Sequence, residues 1–430
     1  MKLALEAMTL VESGSSERSA LQRVIAAEPR LAMVKREGLE LVVETLNELD
    51  LLDRIIDDIL QNRKIARRTR NLLRLATNLL LRTTDSESLK RIEREARYLA
   101  SVHEIPLLEL LIGTASTVDR GSLTLRMGDS DKVAIETHHP QWWVEYCFRM
   151  FGRDEGVKLL SASPRPRYVR VNPLRNRGRA SLPAKLKRLS SILNRVAASL
   201  PVYSLNSSPS VFSAYFSEGM LQVQDLASFL AVKAADPAPE ERVLDLCAAP
   251  GGKTATLAQF MRNKGRIVSV DYSRPRMQTW KREVSRLGVR IAEPIIGTAE
   301  NLGLREKFEL VLIDPPCTGT GILDRNPGMK WRLTPELLSR YSGLQRRILD
   351  SAPTFVDDGG RILYCTCSLT LEENEHVVHS FLRSHPDFET SPVLKEYGTP
   401  CLEGLGDCRR LWPHRDRTAG YFVARLQKVN

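Results

Sequence analysis

Two cysteines stand where this chain is placed to do covalent chemistry. Cys317 closes Asp314-Pro315-Pro316-Cys317, and Cys367 sits in Thr366-Cys367-Ser368. Each follows an apolar run of strand type, Phe308 to Ile313 and Arg361 to Cys365. A structural cysteine is ordinarily buried and inert, so either one alone would say little. Two at strand ends, downstream of a third marked segment, say more. That segment is the buried-strand pattern Val243-Leu244-Asp245-Leu246, then a turn of small residues, Cys247-Ala248-Ala249-Pro250-Gly251-Gly252-Lys253-Thr254.

The turn has the composition of a cofactor cradle. Glycine permits positive φ and close backbone approach, and the helix that follows presents unpaired N–H groups. Neither the G-x-G-x-x-G dinucleotide pattern nor P-loop spacing is present. The next strand ends in Val268-Ser269-Val270-Asp271. An acid about 20 residues beyond the glycines is placed to accept ribose hydroxyls. A nucleoside cofactor without a pyrophosphate motif points to S-adenosylmethionine.

Paired thiols beside such a cofactor imply methyl transfer to a pyrimidine ring. Carbon 5 of cytosine is a poor nucleophile. Thiolate addition at carbon 6 raises its electron density and splits one hard step into easier ones. Cys367 or Cys317 can be the nucleophile, and Asp314 can hold the exocyclic amine and ring nitrogen 3. Amine methylation is the rival chemistry. Its enzymes use a similar Asp/Asn-Pro-Pro turn but place an aromatic residue where this chain has Cys317. A non-catalytic RNA-binding or assembly factor is the third reading, and intact Cys317, Cys367, Asp314 and Lys253 count against it.

Strands alternating with helices must carry these residues. From about residue 220 the pattern runs Arg242–Leu246, Thr254–Asn263, Ile267–Val270, Arg274–Leu287, Phe308–Ile313, Pro335–Phe355, Gly360–Tyr364 and Glu372–Arg383. Such alternation specifies parallel βαβ units, with ligands outside the carboxyl ends of the strands. The expected fold is α/β, a Rossmann-like domain over 216–430. Residues 1–130 instead show helical spacing, at Leu21, Val24 and Ile25, then Leu39, Leu41, Val42, Leu46 and Leu49. That predicts an all-α bundle. One of its helices, Ile65–Leu81, opposes an apolar face to Arg63, Lys64, Arg67, Arg68, Arg70 and Arg74, a candidate RNA surface. Between the two, 140–215 is predicted to be a small mixed module, with a strand at Tyr168–Asn172 and an amphipathic stretch at Leu186–Leu200. His138 and His139 are expected to pack and cap, and Trp142 and Trp143 to lie in a core.

Charge is distributed unevenly. The chain of 430 residues carries a formal charge of +11. Gly156–Ser217 contains no acid and eleven basic residues, which equals that whole excess. An acid-free basic stretch is a footprint for phosphate. Arg170, Asn172, Arg175 and Arg177 are its candidate RNA contacts. No run approaches the roughly 20 apolar residues of a membrane span, and no secretory pattern opens the chain, so a cytoplasmic location is expected. Seven cysteines, an odd number, suggest no disulfide framework. Cys401, Cys408 and His414 match no common zinc spacing, and no metal is expected. Without extended heptads, a monomer is the default expectation.

The motifs together resemble the RNA 5-methylcytosine methyltransferases of the Sun (NSUN-type) family. The resemblance spans about 140–425 and rests on His139-Pro140 with Trp142, Arg170-Val171-Asn172, and Val223-Gln224-Asp225 with Ser228. It continues through Asp245–Thr254, Asp314–Cys317 with Gly319-Thr320-Gly321, Asn326-Pro327 to Lys330-Trp331, and Thr366-Cys367-Ser368 with Glu372–Glu375. It closes on Pro413-His414 and Gly420-Tyr421-Phe422. It implies that Cys367 is the nucleophile, that Cys317 assists product release, that Asp314 holds the cytosine and that Lys253 lies near the reacting base. It implies that Cys247–Gly252 cradle the methionine part of the cofactor, with Asp271 at the ribose and Arg276 beside it. Thr69–Leu80 is similar to a helix of the family's NusB-like RNA-binding domain, which residues 1–130 would then form. Small-subunit rRNA is the substrate implied, with tRNA as the alternative. Two departures stand out. Thr298 occupies the place of the family's adenine-binding Asp, with Glu300 nearby, and Asp324-Arg325 replaces two basic residues.

Overall fold

A computed structural model describes residues 1–61, 63–83, 85–115, 127–176, 178, 193–197, 199–205 and 212–429. The chain divides into two compact units. One comprises Met1–Ser161 with Leu323–Leu333, the other Ala162–Ile322 with Thr334–Asn430.

The first unit is helical. Helices Lys2–Glu12, Glu17–Ala27, Lys35–Asn47 and Arg67–Leu80 close over one core of Leu3, Leu5, Met8, Leu21, Val42, Leu46, Leu72 and Leu75. A second core gathers Ile56, Leu60, Leu73, Ile92 and Leu108. Both follow the 3.6-residue spacing of the sequence. Of the expected basic face, Arg63, Lys64, Arg67 and Arg68 are exposed, whereas Arg70 and Arg74 turn inward. Arg74 is buried between Glu12 and Asp53 at 2.6 Å each, Arg70 pairs with Asp53 and Asp57, and Arg67 lies 3.6 Å from Glu12. Acids on neighbouring helices supply the counter-charge, a pattern that single-helix periodicity does not reveal.

This unit also includes two segments beyond 1–130. Helices Gln141–Phe151 and Arg153–Leu160 belong to it, with Trp143 buried as expected. So does Leu323–Leu333, where Trp331 Nε1 donates to Leu46 O at 2.5 Å and Glu17 accepts from Gly328 N at 2.8 Å. The Asn326–Trp331 motif is thus anchored by helical-unit backbone and carboxylate.

The second unit holds two sheets. Strands β1 (Arg167–Val171), β2 (Leu193–Arg195), β3 (Val202–Leu205) and β4 (Leu221–Val223) form a small antiparallel sheet in the order β2-β3-β1-β4. Leu193–Arg195 lies inside the stretch expected to be amphipathic, and it pairs as a strand with β3. Residues 186–192 lie outside the described residues. β4 joins this sheet from beyond residue 215, so the mixed module and the catalytic region form one unit.

The larger sheet has β5 (Arg242–Leu246), β6 (Arg266–Asp271), β7 (Ala292–Ile296), β8 (Phe308–Ile313), β9 (Val356–Thr366), β10 (Phe388–Ser391), β11 (Thr399–Pro400), β12 (Arg409–Leu411) and β13 (Tyr421–Lys428). The order is β11-β12-β13-β9-β8-β5-β6-β7, with β10 paired to β13. β5 to β9 run parallel, and β13 returns antiparallel to β9. Strands buried on both faces require continuous apolar runs. Val243, Leu244, Leu246 and Leu310–Ile313 meet that demand at 0 % exposure. The order reverses at β5, between β8 and β6, and a ligand crevice opens at such a switch point.

Candidate active site

Sheet register brings the marked residues together. Leu246 pairs with Ile313 and Ile313 with Tyr364. The next residues along each strand, Cys247, Asp314 and Cys365, therefore emerge at one edge. Beyond them the chain turns at Pro315-Pro316-Cys317 and at Cys367-Ser368. The two thiols meet there, with Cys317 Sγ 3.3 Å from Cys367 Sγ. Both are half-buried. Hydrogen bonding to Cys367, then burial, then nearby charge hold the Cys317 thiol well above its ordinary pKa.

Asp314 anchors the polar side of the site. Lys253 Nζ lies 2.6 Å from its Oδ2. Burial works against the Lys253 charge, but the charge and hydrogen bond of Asp314 outweigh it and raise the pKa above the usual lysine value. Tyr421 OH lies 3.5 Å from Asp314 Oδ1, and Lys253 Nζ sits 5.4 Å from the Tyr421 ring centre. Cys365 Sγ is 3.9 Å from Asp314 Oδ1. Burial pushes the Cys365 and Cys247 thiols up, so both stay protonated at neutral pH.

The glycine turn follows β5. Cys247 takes φ +64° and Gly251 φ +106°. A Cβ on Gly251 would meet Trp280 Cδ1 at 3.1 Å and Val284 Cγ2 at 3.3 Å, so both backbone angle and space select glycine. A cavity of about 380 Å³ lies against the turn, walled by Asp245, Ala248–Pro250, Gly252, Lys253 and Asp314. Asp245 is fully buried. Its Oδ2 accepts from Thr254 Oγ1 at 2.5 Å, and among the described residues its Oδ1 has no hydrogen-bond partner. Burial, partly opposed by Thr254, raises its pKa to about 7. Asp271 closes β6. Its carboxylate accepts from Ala249 N at 3.2 Å and Ser273 N at 3.0 Å, and pairs with Arg276 at 3.2 Å. An unsatisfied buried carboxylate oxygen calls for a donor, and the cavity is of small-molecule size. A cationic, hydroxyl-bearing nucleoside such as S-adenosylmethionine fits this donor and acceptor set. Thr298 is exposed, and Glu300 lies 3.9 Å from Arg347.

The candidate RNA contacts separate. Arg170 is 2 % exposed and donates to Gln224, Gln259, Gln222 and Thr256 at 2.6–2.9 Å. Burial without a carboxylate partner lowers its pKa to about 9. Gln222 Nε2 and Thr256 Oγ1 both donate to Gly252 O, so Arg170 braces the glycine turn from below. Asn172 is fully buried and donates to Gly219 O and Leu287 O at 2.8 Å. Both expectations of direct RNA contact are corrected. A strand in a sheet covered by helices turns these side chains inward, which a charge count cannot tell. Arg175 is exposed and donates to Arg286 O and Ser285 O. Arg177 lies outside the described residues.

Three residues near the thiols had no assigned role in the sequence reading. Tyr421 and Cys365 flank Asp314. Glu373 is fully buried, within hydrogen-bond reach of both cysteine turns. Tyr421 and Glu373 lay in quoted motifs, and Cys365 at the end of a strand-type run, without a chemistry attached.

Comparison with known proteins agrees with this geometry. The family model described as 16S rRNA methyltransferase RsmB/F matches residues 232–427. A probable ribosomal RNA small subunit methyltransferase B of Bacillus subtilis is 31 % identical over 304 residues, covering 69 % of this chain and 68 % of that protein. A tRNA (cytosine(72)-C(5))-methyltransferase of Pyrococcus horikoshii is 32 % identical over 215 residues, covering 50 % of this chain and 54 % of that one. The crystal structure of PH0851 superposes with a TM-score of 0.82 at 28 % identity, covering 99 % of this chain and 97 % of the other.

Proposed function

This chain belongs to the RsmB/F family of 16S rRNA methyltransferases, and on that premise we propose that it methylates carbon 5 of a cytosine in small-subunit rRNA through a covalent adduct on Cys367. The observation that carries the covalent step is the pair of thiols 3.3 Å apart beside the Lys253–Asp314 pair.

S-adenosylmethionine, when bound, supplies the methyl group as a sulfonium. The chain's own residues do the rest. The Ala248–Gly252 backbone and Asp271 would hold the cofactor, with Arg276, paired to Asp271, beside it. Asp314 accepts from the cytosine amine, and Lys253, 2.6 Å away, keeps its carboxylate aimed. The Cys367 thiolate forms a bond to carbon 6, and the ring's electron pair moves toward carbon 5. After transfer, the carbon 5 proton passes to solvent water, its electron pair re-forms the carbon 5–carbon 6 double bond, and the sulfur–carbon 6 bond breaks to return the Cys367 thiolate. Cys317 assists that release. The contact with Cys367 and burial hold its thiol well above the ordinary pKa. A paired cytosine must be extruded to reach the thiols.

The helical unit is the candidate NusB-like RNA-binding domain, supported by its helical content and by the similarity at Thr69–Leu80. The exposed Arg167, Arg175 and Arg195 are candidate phosphate contacts.

A denaturing gel tests the central claim. Cys317→Ala is incubated with S-adenosylmethionine and total RNA, with Cys317→Ala/Cys367→Ala as control. A nuclease-sensitive shifted band is expected only while Cys367 is intact. Methyl transfer by the wild type without any adduct in Cys317→Ala removes the release role. Parallel reactions on rRNA and tRNA decide the substrate, with rRNA expected.

A further inference from the structure

Each catalytic cysteine is followed by a hydroxyl residue, Thr318 after Cys317 and Ser368 after Cys367. Both hydroxyls converge on one buried carboxylate. Glu373 Oε2 accepts from Thr318 Oγ1 at 2.5 Å, from Ser368 Oγ at 2.5 Å and from Thr370 Oγ1 at 2.9 Å. Its Oε1 accepts from Thr318 N at 2.8 Å and from Gln345 Nε2 at 2.9 Å. Glu373 is 0 % exposed, and every one of these partners is neutral.

A buried carboxylate held by neutral donors alone is a costly choice for stability, since burial of charge is penalised unless fully hydrogen-bonded. Here all the hydrogen bonds serve one geometry. Those from Thr318 fix the turn of Cys317. Those from Ser368 and Thr370 fix the turn of Cys367. Gln345 also donates to Pro316 O at 2.8 Å, tying the residue before Cys317 to the same carboxylate. Asn374 completes the clamp, accepting from Thr366 Oγ1 at 2.6 Å and donating to Ser368 O at 2.9 Å.

We propose that Glu373 is the positioning residue of the thiol pair: its carboxylate joins the two cysteine turns, sets the separation of the sulfurs and thereby keeps attack and release on different cysteines. The proposal rests on the covalent mechanism given above and deepens it. Charge adds to geometry, because the Glu373 carboxylate is among the groups that raise the Cys317 pKa, after the Cys367 hydrogen bond and burial. A protonated Cys317 stays out of the attack and remains available for release.

The test uses the full chain and two readouts. The first is alkylation of each thiol by iodoacetamide across pH, mapped by peptide mass without RNA or cofactor. The second is the kcat and KM of methyl transfer. Glu373→Gln keeps the side chain's size, removes its charge and sets an amide N–H against donors that both oxygens now accept from, so the two turns must shift. Its Cys317 alkylation profile is expected to move to lower pH, and kcat to fall by about 100-fold, the size of effect a displacement near 1 Å produces, with KM for S-adenosylmethionine little changed. Glu373→Asp, which keeps the charge, is expected to restore the alkylation profile. An unchanged Cys317 profile with unchanged kcat overturns the proposal. If Glu373→Gln gives no cooperative melt, Thr318→Val and Ser368→Ala each remove one tie, and wild-type alkylation in both overturns it. If the wild type methylates no RNA, the mechanism fails, whereas the alkylation profiles still decide the role of Glu373.

Discussion

Lys253 Nζ and Asp314 Oδ2 lie 2.6 Å apart, one from the helix after β5 and one from the end of β8. Adjacent parallel strands deliver them to the same edge, and Tyr421 closes the pair from β13. A cation here fixes the carboxylate proposed above to accept from the base, and its value is greatest where water is excluded.

Removing that cation should act on the chemical step. Lys253→Met is expected to lower kcat roughly 100- to 1,000-fold, as loss of a preorganised electrostatic group does. Binding of S-adenosylhomocysteine by calorimetry should change little. Equal losses in kcat and cofactor affinity would show that Lys253 mainly holds the cofactor. Because its pKa is raised, its charge is present throughout the neutral range and is lost only as pH rises through that raised value. The Lys253 contribution should therefore not vary between pH 6 and about 9.

Asp271 should control cofactor affinity and not the thiols. Hydrogen bonds from a charged acceptor are worth about 1.5–3 kcal/mol, so Asp271→Ala is expected to weaken S-adenosylhomocysteine binding by roughly 10- to 150-fold. Calorimetry reads this directly. Arg276 covers the carboxylate at 3.2 Å, so Arg276→Ala is expected to speed cofactor association in stopped-flow mixing. Wild-type affinity in Asp271→Ala would remove the ribose assignment.

Glu375 lies two residues beyond Glu373 and does a different job. Its Oε1 accepts from Arg410 Nε at 2.6 Å and from Leu402 N at 3.1 Å, and both side chains are 0 % exposed. Removing one partner of a buried pair leaves an uncompensated charge and costs about 3–5 kcal/mol. Glu375→Gln is expected to lower the urea midpoint of the catalytic unit accordingly, with Cys317 and Cys367 alkylation unchanged. A midpoint equal to wild type would show that water or a neighbour compensates Arg410.

Much of this site was legible because it depends on local pattern. The strand Phe308–Ile313 is buried at every residue but Glu309, and its end places Asp314 and Cys317; Arg242–Leu246, buried but for Arg242, does the same for the glycine turn. What was not legible depends on partners distant in sequence. Arg170 looks like a phosphate contact by charge, but its four partners come from β4, its flanking residue Gln224 and the helix Gly252–Phe260. Arg74 looks like part of a basic face, yet Glu12 and Asp53 enclose it. Glu373 was visible only as one acid in an acidic run. Its role appears when Thr318, 55 positions away, donates both N–H and hydroxyl to it. Charge and periodicity report on one element at a time, whereas burial of a polar group is a property of several.

Asp245 gives a pH signature to the cofactor strand. Burial raises its pKa from 3.8 to about 7, with Thr254 opposing. The sign follows from linkage. Between those two values the folded state binds a proton that the unfolded chain has released, so stability falls as pH rises through that window. A difference of about three units corresponds to at most roughly 4 kcal/mol. Asp245→Asn cannot titrate, and its oxygen can still accept from Thr254. Any fixed cost of its amide is the same at every pH, so only the pH-dependent difference matters. The stability of Asp245→Asn relative to wild type, from urea melts of the cofactor-free protein, should therefore rise between pH 5 and pH 8. A difference that is flat across this range would mean that Asp245 stays ionised when buried, with a donor compensating its Oδ1. Saturating S-adenosylhomocysteine should flatten the wild-type curve if the cofactor supplies that donor, and leave Asp245→Asn unaffected in shape.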